Sequence, residues 1–178
     1  AVTGGVPAYY EFFDNDRPLE ENIRQEILRK GGFLYEEPEF LLQGEVREIG
    51  SYFSIMRTIA AGKHKLTEIA ASLALPVSRL SPYMNTLIDL NLVERRVPVT
   101  EKQPEKSRKG LYFICDNFMS FWFAFVYPYK SELEMGNTAY VEQKLSVNFI
   151  DAHVAFVYET VCRQMLLELC RTNALDFS

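Results

Sequence analysis

The side chains that could hold a catalytic metal in this sequence are two histidines and three cysteines. A zinc site needs three or four such ligands, commonly in pairs roughly two to five residues apart. His64 lies in a predicted turn and His153 on a predicted helix, and neither has a second histidine or cysteine at that spacing. The cysteines, Cys115, Cys162 and Cys170, are odd in number and are expected to be reduced. The sequence therefore predicts no metal site.

Nucleophilic catalysis and nucleotide hydrolysis need motifs that this sequence lacks. It contains no Gly-x-Ser-x-Gly segment to hold a serine nucleophile. The nearest approach to a Gly-x-x-x-x-Gly-Lys-Ser/Thr phosphate loop is Gly62-Lys63, but Arg57 replaces its first glycine. Acidic clusters lie where helices are predicted to begin, which the helix dipole favours: Glu20, Glu21, Glu36, Glu37 and Glu39. We therefore expect no self-contained active site.

Basic side chains are the remaining candidates for chemistry, and they are concentrated in the middle of the chain. The net charge is −5, so the protein as a whole is not suited to coating nucleic acid. Residues 93–115 contain six basic and three acidic residues, and residues 51–92 contain four basic and two acidic residues. Both ends of the chain are acidic. A nucleic-acid surface is therefore expected only in this middle part.

Three helices are predicted in the part of the chain that holds these basic residues. Apolar residues at helical spacing predict the first at 52–60. The second follows at 65–76, with Thr67 as its expected N-cap. After a tight turn, the third occupies residues 78–90. Its residues expected to face inward are Leu80, Met84, Leu87 and Ile88.

Two short strands around a polar loop are predicted directly after the third helix. Val93, Val97 and Val99 lie on one face of a strand at 93–100. The second strand is predicted at 111–114. Three helices followed by such a hairpin make a winged helix-turn-helix. The predicted fold class is therefore mainly α, with a winged helix flanked by helices on both sides.

A winged helix offers its third helix to the major groove of DNA and its hairpin to a neighbouring groove or the phosphates. Asparagine reads adenine and arginine reads guanine through paired hydrogen bonds. The candidate nucleic-acid-binding residues on these elements are Arg79, Tyr83, Asn85, Arg95, Arg96, Lys106, Arg108 and Lys109. However, residues 76–92 carry one arginine and one aspartate, whereas specific binders place several cations against phosphates. A winged helix that acts as a spacer or docks on a protein is the alternative.

Helices are also predicted on both sides of the winged helix. The helix after Asp116 is apolar nearly all round and should be buried on most sides. Residues 139–171 predict one or two helices with an apolar side. The sequence has no run of about 18 apolar residues, so we expect a cytoplasmic protein without a membrane span. Because the chain starts without methionine and stops in an unfinished helical pattern, we expect it to be a fragment.

Two neighbouring segments, KSRKGLYFICDNF at 106–118 and FWFAFVYP at 121–128, resemble a long signature of the archaeal-type AAA/STAND-like ATPases of archaea and bacteria. In that family a phosphate-loop ATPase core is followed by a helical lid, a winged helix and a domain similar to PD-(D/E)XK nucleases. The resemblance implies a lid remnant at 1–45, the winged helix at 46–115 and the truncated helical start of the nuclease-like domain at 116–178.

The same resemblance implies roles for three residues. The segment TGGVPAY at 3–9 is similar to the family's Gly-x-Pro lid segment, so Gly5 and Pro7 are the implied adenine contacts. ATP with Mg²⁺ is then expected only in the intact protein, whose ATPase core would be the partner of this chain. Glu159 is similar to a glutamate on the first helix of the nuclease-like domain. The later Asp and Glu-x-Lys pattern that would hold a metal in that family is not found after it.

Two functions are compatible with these observations. The first is the non-catalytic C-terminal part of an ATP-binding protein, whose winged helix relays the nucleotide state or docks on DNA or protein. The alternative is a free-standing winged-helix transcription regulator that binds DNA. A basic third helix and a dimerising terminal helix would favour that alternative, and the neutral third helix does not.

Overall fold

The structure, a computed structural model, describes residues 1–46, 48–98, 100–107, 109–172 and 174. Within these ranges the chain is mainly helical. The α-helices are α1 (Pro7–Tyr10), α2 (Leu19–Ile23), α3 (Glu37–Gln43), α4 (Ile49–Ala60), α5 (Leu66–Ser72), α6 (Val77–Asp89), α7 (Asn117–Phe125), α8 (Lys130–Glu134), α9 (Thr138–Phe149) and α10 (Ala155–Arg171). The strands are β1 (Val93–Arg96) and β2 (Leu111–Ile114).

Shorter helical turns connect several of these elements. A π-helical turn at Arg24–Leu28 continues α2, and a second at Ile150–Val154 joins α9 to α10. Turns of 3₁₀ helix lie at Pro104–Lys106 and Tyr127–Tyr129. The helix that begins at Leu19 is therefore an α-helical turn that widens before it ends.

Helices α4 to α6 and the hairpin form the predicted winged helix. The buried side of α6 consists of Leu80, Met84 and Leu87, at the spacing that the sequence predicts. Strands β1 and β2 are antiparallel, with Val93 opposite Ile114. The first strand ends at Arg96, earlier than the predicted 93–100, and Val99 lies outside the described residues.

The start of α5 differs from the prediction. Thr67 was expected as its N-cap, but the helix begins at Leu66 and Lys65 is the N-cap. Lys65 has extended backbone because it forms an isolated bridge to Leu111 of β2. Its N–H donates to the Glu68 carboxylate at 3.4 Å, as the N3 residue of a capping box does. The contact with the hairpin therefore sets where the helix starts.

Helix α7 forms the centre of the hydrophobic core. The Asp116 carboxylate caps it by accepting the Met119 N–H at 2.8 Å. The buried residues of α7 are Phe118, Met119, Phe121, Trp122, Phe123 and Phe125. The prediction that this helix is buried on most sides is confirmed.

The segments before and after α7 share one core through it. The Trp122 indole N–H donates to the Tyr35 carbonyl at 2.9 Å, which joins α7 to the N-terminal segment. Phe53 of α4 contacts Trp122 and Phe123 edge-on, with ring centres 5.9 and 5.1 Å apart. An ion pair between Lys130 and Glu39 lies beside this contact. The domain boundaries implied near residues 45 and 115 thus separate segments that share one continuous core. These boundaries stay predictions.

Helix α10 is the exception to this burial. It contains no buried residue, although its sequence predicts an apolar side. Large apolar side chains on it are each more than half exposed: Tyr158, Val161, Met165, Leu166 and Leu167. The apolar side predicted for residues 139–171 is thus largely exposed to solvent along α10. Among the described helices, none is both long and apolar enough to cross a membrane.

We predict that Trp122→Phe lowers the free energy of unfolding by about 2–4 kcal/mol. The change leaves the buried Tyr35 carbonyl without its donor and opens a small cavity. The measurement is urea unfolding followed by far-ultraviolet circular dichroism, since Trp122 is the single tryptophan of the chain. Tyr127→Phe is the matched control on the same cluster, and a loss as large in that control would contradict the assignment.

Candidate nucleic-acid interface

The turn between α5 and α6 fixes the direction of α6. Ala74 adopts a left-handed conformation with φ of 51°. The Leu75 N–H donates to the Ala70 carbonyl at 3.0 Å, which is the closing bond of a Schellman C-cap. Pro76 follows at once and cannot continue the helix, so a new helix starts at Val77. This is the tight turn of a helix-turn-helix.

Helix α6 has a broad exposed face opposite its buried side. The exposed residues on it are Ser78, Arg79, Pro82, Asn85 and Asp89. Arg79 and Asn85 are six residues apart, which corresponds to about 9 Å along the helix axis. Pro82 lies between them inside the helix and has no N–H to donate. Both residues are exposed, but they lie roughly 120° apart around the axis, towards the two edges of this face.

Tyr83, the third candidate on α6, contacts both α4 and Glu48, the residue that precedes α4. Its hydroxyl donates to the Glu48 carboxylate at 2.7 Å. Its ring contacts Tyr52 edge-on, with ring centres 5.2 Å apart. The bond to Glu48 raises the pKa of Tyr83, because the carboxylate stabilises the protonated phenol. Tyr83 thus connects α6 to the start of α4, and Glu48 is a partner that sequence reasoning missed.

Arg95 points into the loop of the wing. Its guanidinium donates to the Pro104 carbonyl at 3.0 Å and to the Ser107 carbonyl. Gly110 lies so close to the guanidinium that a Cβ at that position would collide with it. Arg95, predicted as a nucleic-acid contact, therefore holds the wing loop together from inside.

Arg96 lies on the opposite face of β1, since successive side chains of a strand alternate. Its Nε donates to the Glu94 carboxylate at 2.6 Å. Its guanidinium carbon is 4.4 Å from the centre of the Phe113 ring. Arg96 lies in a cleft between the hairpin and α10. The structure therefore does not place it beside the tip of the wing.

The outer part of the wing carries two of the predicted cations. Lys106 is exposed at the end of the 3₁₀ turn. Lys109 is 69% exposed, and its ammonium contacts the Glu101 carboxylate at 2.8 Å. Exposed ion pairs of this kind contribute little, so a phosphate can replace the carboxylate. Arg108 lies outside the described residues.

The implied adenine contacts lie at the start of the chain. Gly5 is exposed, and a Cβ there would meet no atom within 4 Å. Pro7 is exposed at the first position of α1. Neighbouring Gly4 has φ of 63° and lies against the Asp116 carboxylate, which fixes this turn on α7. Gly5 and Pro7 leave an open surface, and this chain supplies no phosphate-binding loop beside it.

The histidines and cysteines of the described parts of the chain lie in separate environments. These parts contain no cluster of three histidine, cysteine or carboxylate side chains that could hold a metal ion. His153 is buried and its Nε2 lies 3.1 Å from the Ala1 carbonyl oxygen. Burial lowers the pKa of His153. Cys115 is exposed overall, but partial desolvation of its thiol and the nearby Glu94 carboxylate raise its pKa to about 11, so the thiol is a poor nucleophile near neutral pH.

Comparison with known proteins finds two domain families. Residues 52–97 match the helix-turn-helix domain of the IclR type. Residues 122–178 match DUF234, described as archaeal and bacterial proteins of unknown function. The helix-turn-helix match covers α4 to β1, so the predicted winged-helix fold is confirmed. The match includes all of α6.

An uncharacterized protein of Methanocaldococcus jannaschii is 37% identical over 173 residues. That alignment covers 97% of this chain and 38% of the relative, so the chain spans well under half of the relative's length. No solved structure matches the chain. None of these matches bears on an ATP-binding part, which stays a prediction.

We predict that Arg95→Gln makes the wing loop more open to proteolysis without unfolding the protein. The substitution removes the charged donors that bind the two loop carbonyls, so the loop opens more often. Trypsin cleavage after Lys102 and Lys106, followed by mass spectrometry, should become several-fold faster. Arg79→Gln, which removes an exposed charge from α6, should leave these rates unchanged. Equal cleavage rates in the wild type and both variants would show that Arg95 does not hold the loop closed.

Proposed function

We propose that this chain binds duplex DNA, with α6 in the major groove and the tip of the wing on the flanking backbone. The observation that carries the proposal is the exposed face of α6 in a domain of helix-turn-helix type. On that face Arg79 can read guanine and Asn85 can read adenine. Lys106 and Lys109 supply phosphate contacts from the wing.

The charges of this surface predict modest affinity. Each phosphate contact by a cation contributes through the release of a condensed counterion. The face of α6 offers Arg79 alone, with Asp89 at the end of the same helix. Arg95 and Arg96 are engaged within the protein, so the cations in reach of the backbone are fewer than the sequence suggests. Selectivity therefore depends on base contacts more than on the total charge.

The wing contribution is tested with the double variant Lys106→Gln, Lys109→Gln. At 0.1 M salt each lost phosphate contact should weaken binding of a random-sequence duplex by about eightfold and reduce the salt slope by about one unit. Fluorescence anisotropy at several salt concentrations measures both. Lys144→Gln on α9 removes one positive charge far along the chain and should change neither the affinity nor the slope. An unchanged slope in the double variant would remove the wing from the interface.

The contribution of α6 is tested by selecting preferred sequences from a duplex pool. Asn85→Ala should relax the preference at one base pair by roughly 1–3 kcal/mol and leave the salt slope unchanged. Tyr83→Phe, whose hydroxyl contacts Glu48, should keep the preference. A wild-type chain that selects no sequence and binds no duplex would instead support a winged helix that docks on protein.

We further propose that this winged helix belongs to a longer ATP-binding polypeptide and follows its nucleotide state. The resemblance to AAA/STAND-like ATPases supports this, together with the much greater length of the M. jannaschii relative. Gly5 and Pro7 would then lie against the adenine. The N-terminal segment is joined to α7 by the bond between Trp122 and Tyr35, so a shift of that segment would reach the winged helix.

We predict that ATP changes the proteolytic cleavage of the intact polypeptide near residues 44–50. This stretch joins α3 to α4, so it would take up a movement of the N-terminal segment. Limited proteolysis with ATP, with ADP and without nucleotide measures the effect. The variant Pro7→Ala should weaken the response by loosening the adenine contact. Identical cleavage under all three conditions would contradict the proposed relay.

A further inference from the structure

A cleft between the hairpin and α10 is not used by the proposed DNA interface. Its volume is about 220 Å³. It is lined by the end of α4, both strands of the hairpin, the start of α7 and the first two turns of α10. Pockets for drug-sized ligands span roughly 300–1,000 Å³, so this cleft suits a smaller molecule.

One side of the cleft is apolar and aromatic. The His64 ring stacks on Phe113, with ring centres 4.4 Å apart. The Phe156 ring lies 6.3 Å from the His64 ring. Ile59 and Ile114 complete this side. These residues offer van der Waals contact to a branched or aromatic side chain.

The cleft also has one cation and one carboxylate, which come from different elements. Arg96 enters from β1 and Glu159 from α10. Glu94 and the Phe113 ring fix the guanidinium of Arg96 on two sides. A guanidinium has five N–H donors in a rigid fork, so donors of Arg96 remain for a ligand carboxylate.

Neutral polar groups add to these charges. The Nδ1 of His64 donates to the Tyr112 carbonyl at 2.9 Å, because a carbonyl can only accept. In the neutral imidazole the Nε2 of His64 is then an acceptor. Asn117, Ser120 and Thr160 also line the cleft and provide an amide and two hydroxyls. The site can thus bind both a donor group and an acceptor group of one small molecule.

We propose that this cleft binds a free α-amino acid with an apolar side chain. Its carboxylate would contact Arg96, its ammonium would contact Glu159 and its side chain would lie against Phe113 and Phe156. A ligand with only one of the two charges makes only one of the two charge-assisted contacts, so it should bind more weakly. The site is independent of DNA binding, and its occupant would bridge the hairpin and α10.

The test uses L-leucine and two analogues that each lack one charge, isocaproate and isoamylamine. Isothermal titration calorimetry and amide chemical shifts should show saturable binding of L-leucine, with shifts at residues around the cleft. Each analogue should bind at least about tenfold more weakly, since it loses one charge-assisted contact. Absence of saturable L-leucine binding, or equal binding of an analogue, would overturn the proposal.

The carboxylate is tested separately with Glu159→Gln. This exposed residue should be replaceable without loss of folding, which circular dichroism checks. The substitution should weaken L-leucine binding by about tenfold and leave isocaproate binding unchanged, because only the ammonium contact is lost. Glu168→Gln on the same helix is the matched control, since Glu168 contacts Arg171 away from the cleft. Equal weakening in both variants would point to a general charge effect and contradict the site.

Discussion

Trp122 donates its indole N–H to the Tyr35 carbonyl across 2.9 Å, and both residues are fully shielded from solvent. In a setting without water, neither group has another partner, so the bond fixes the N-terminal segment on α7. The same helix packs on α4 and α9. The winged helix is therefore built into a larger core and shares its most buried helix with the segments on both sides.

The ion pairs around this core contribute less than its aromatic packing to the orientation of the segments. Arg24 contacts Glu142, and Lys30 contacts Glu134, at the surface between the N-terminal segment and the helices after α7. These side chains are largely solvated, and exposed ion pairs typically contribute less than about 1 kcal/mol. The orientation of the segments thus depends on aromatic packing around Trp122. Salt should affect it little, whereas the proposed DNA binding by the wing should depend strongly on salt.

The sequence was sufficient to predict the elements whose burial follows a period. The inward residues of α6 and the buried character of α7 were predictable because a core-facing side must recur at helical spacing. The contact partners of individual side chains were not predictable in this way. Alternation along β1 places Arg95 and Arg96 on opposite faces, but it does not tell which face meets the loop. That depends on the backbone path that brings the Pro104 and Ser107 carbonyls to one guanidinium.

Three further differences have the same origin in tertiary structure. Lys65 displaces Thr67 from the cap of α5 because its backbone is bridged to β2, and local propensity contains no information on that bridge. Periodicity indicates an apolar side on α10 but not whether a partner covers it. Tyr83 has exposed neighbours on α6, yet it binds Glu48, which is distant in sequence. Each miss concerns a contact between elements.

The engagement of Arg95 inside the wing has a consequence for recognition. A flexible loop loses conformational entropy when it binds a surface, and that loss opposes binding. Here two loop carbonyls are already bound to a guanidinium before any partner arrives. In the proposed DNA complex, this part of the wing would therefore lose less conformational entropy on binding. Arg95, although withdrawn from the surface, would thus favour the phosphate contacts proposed for Lys106 and Lys109.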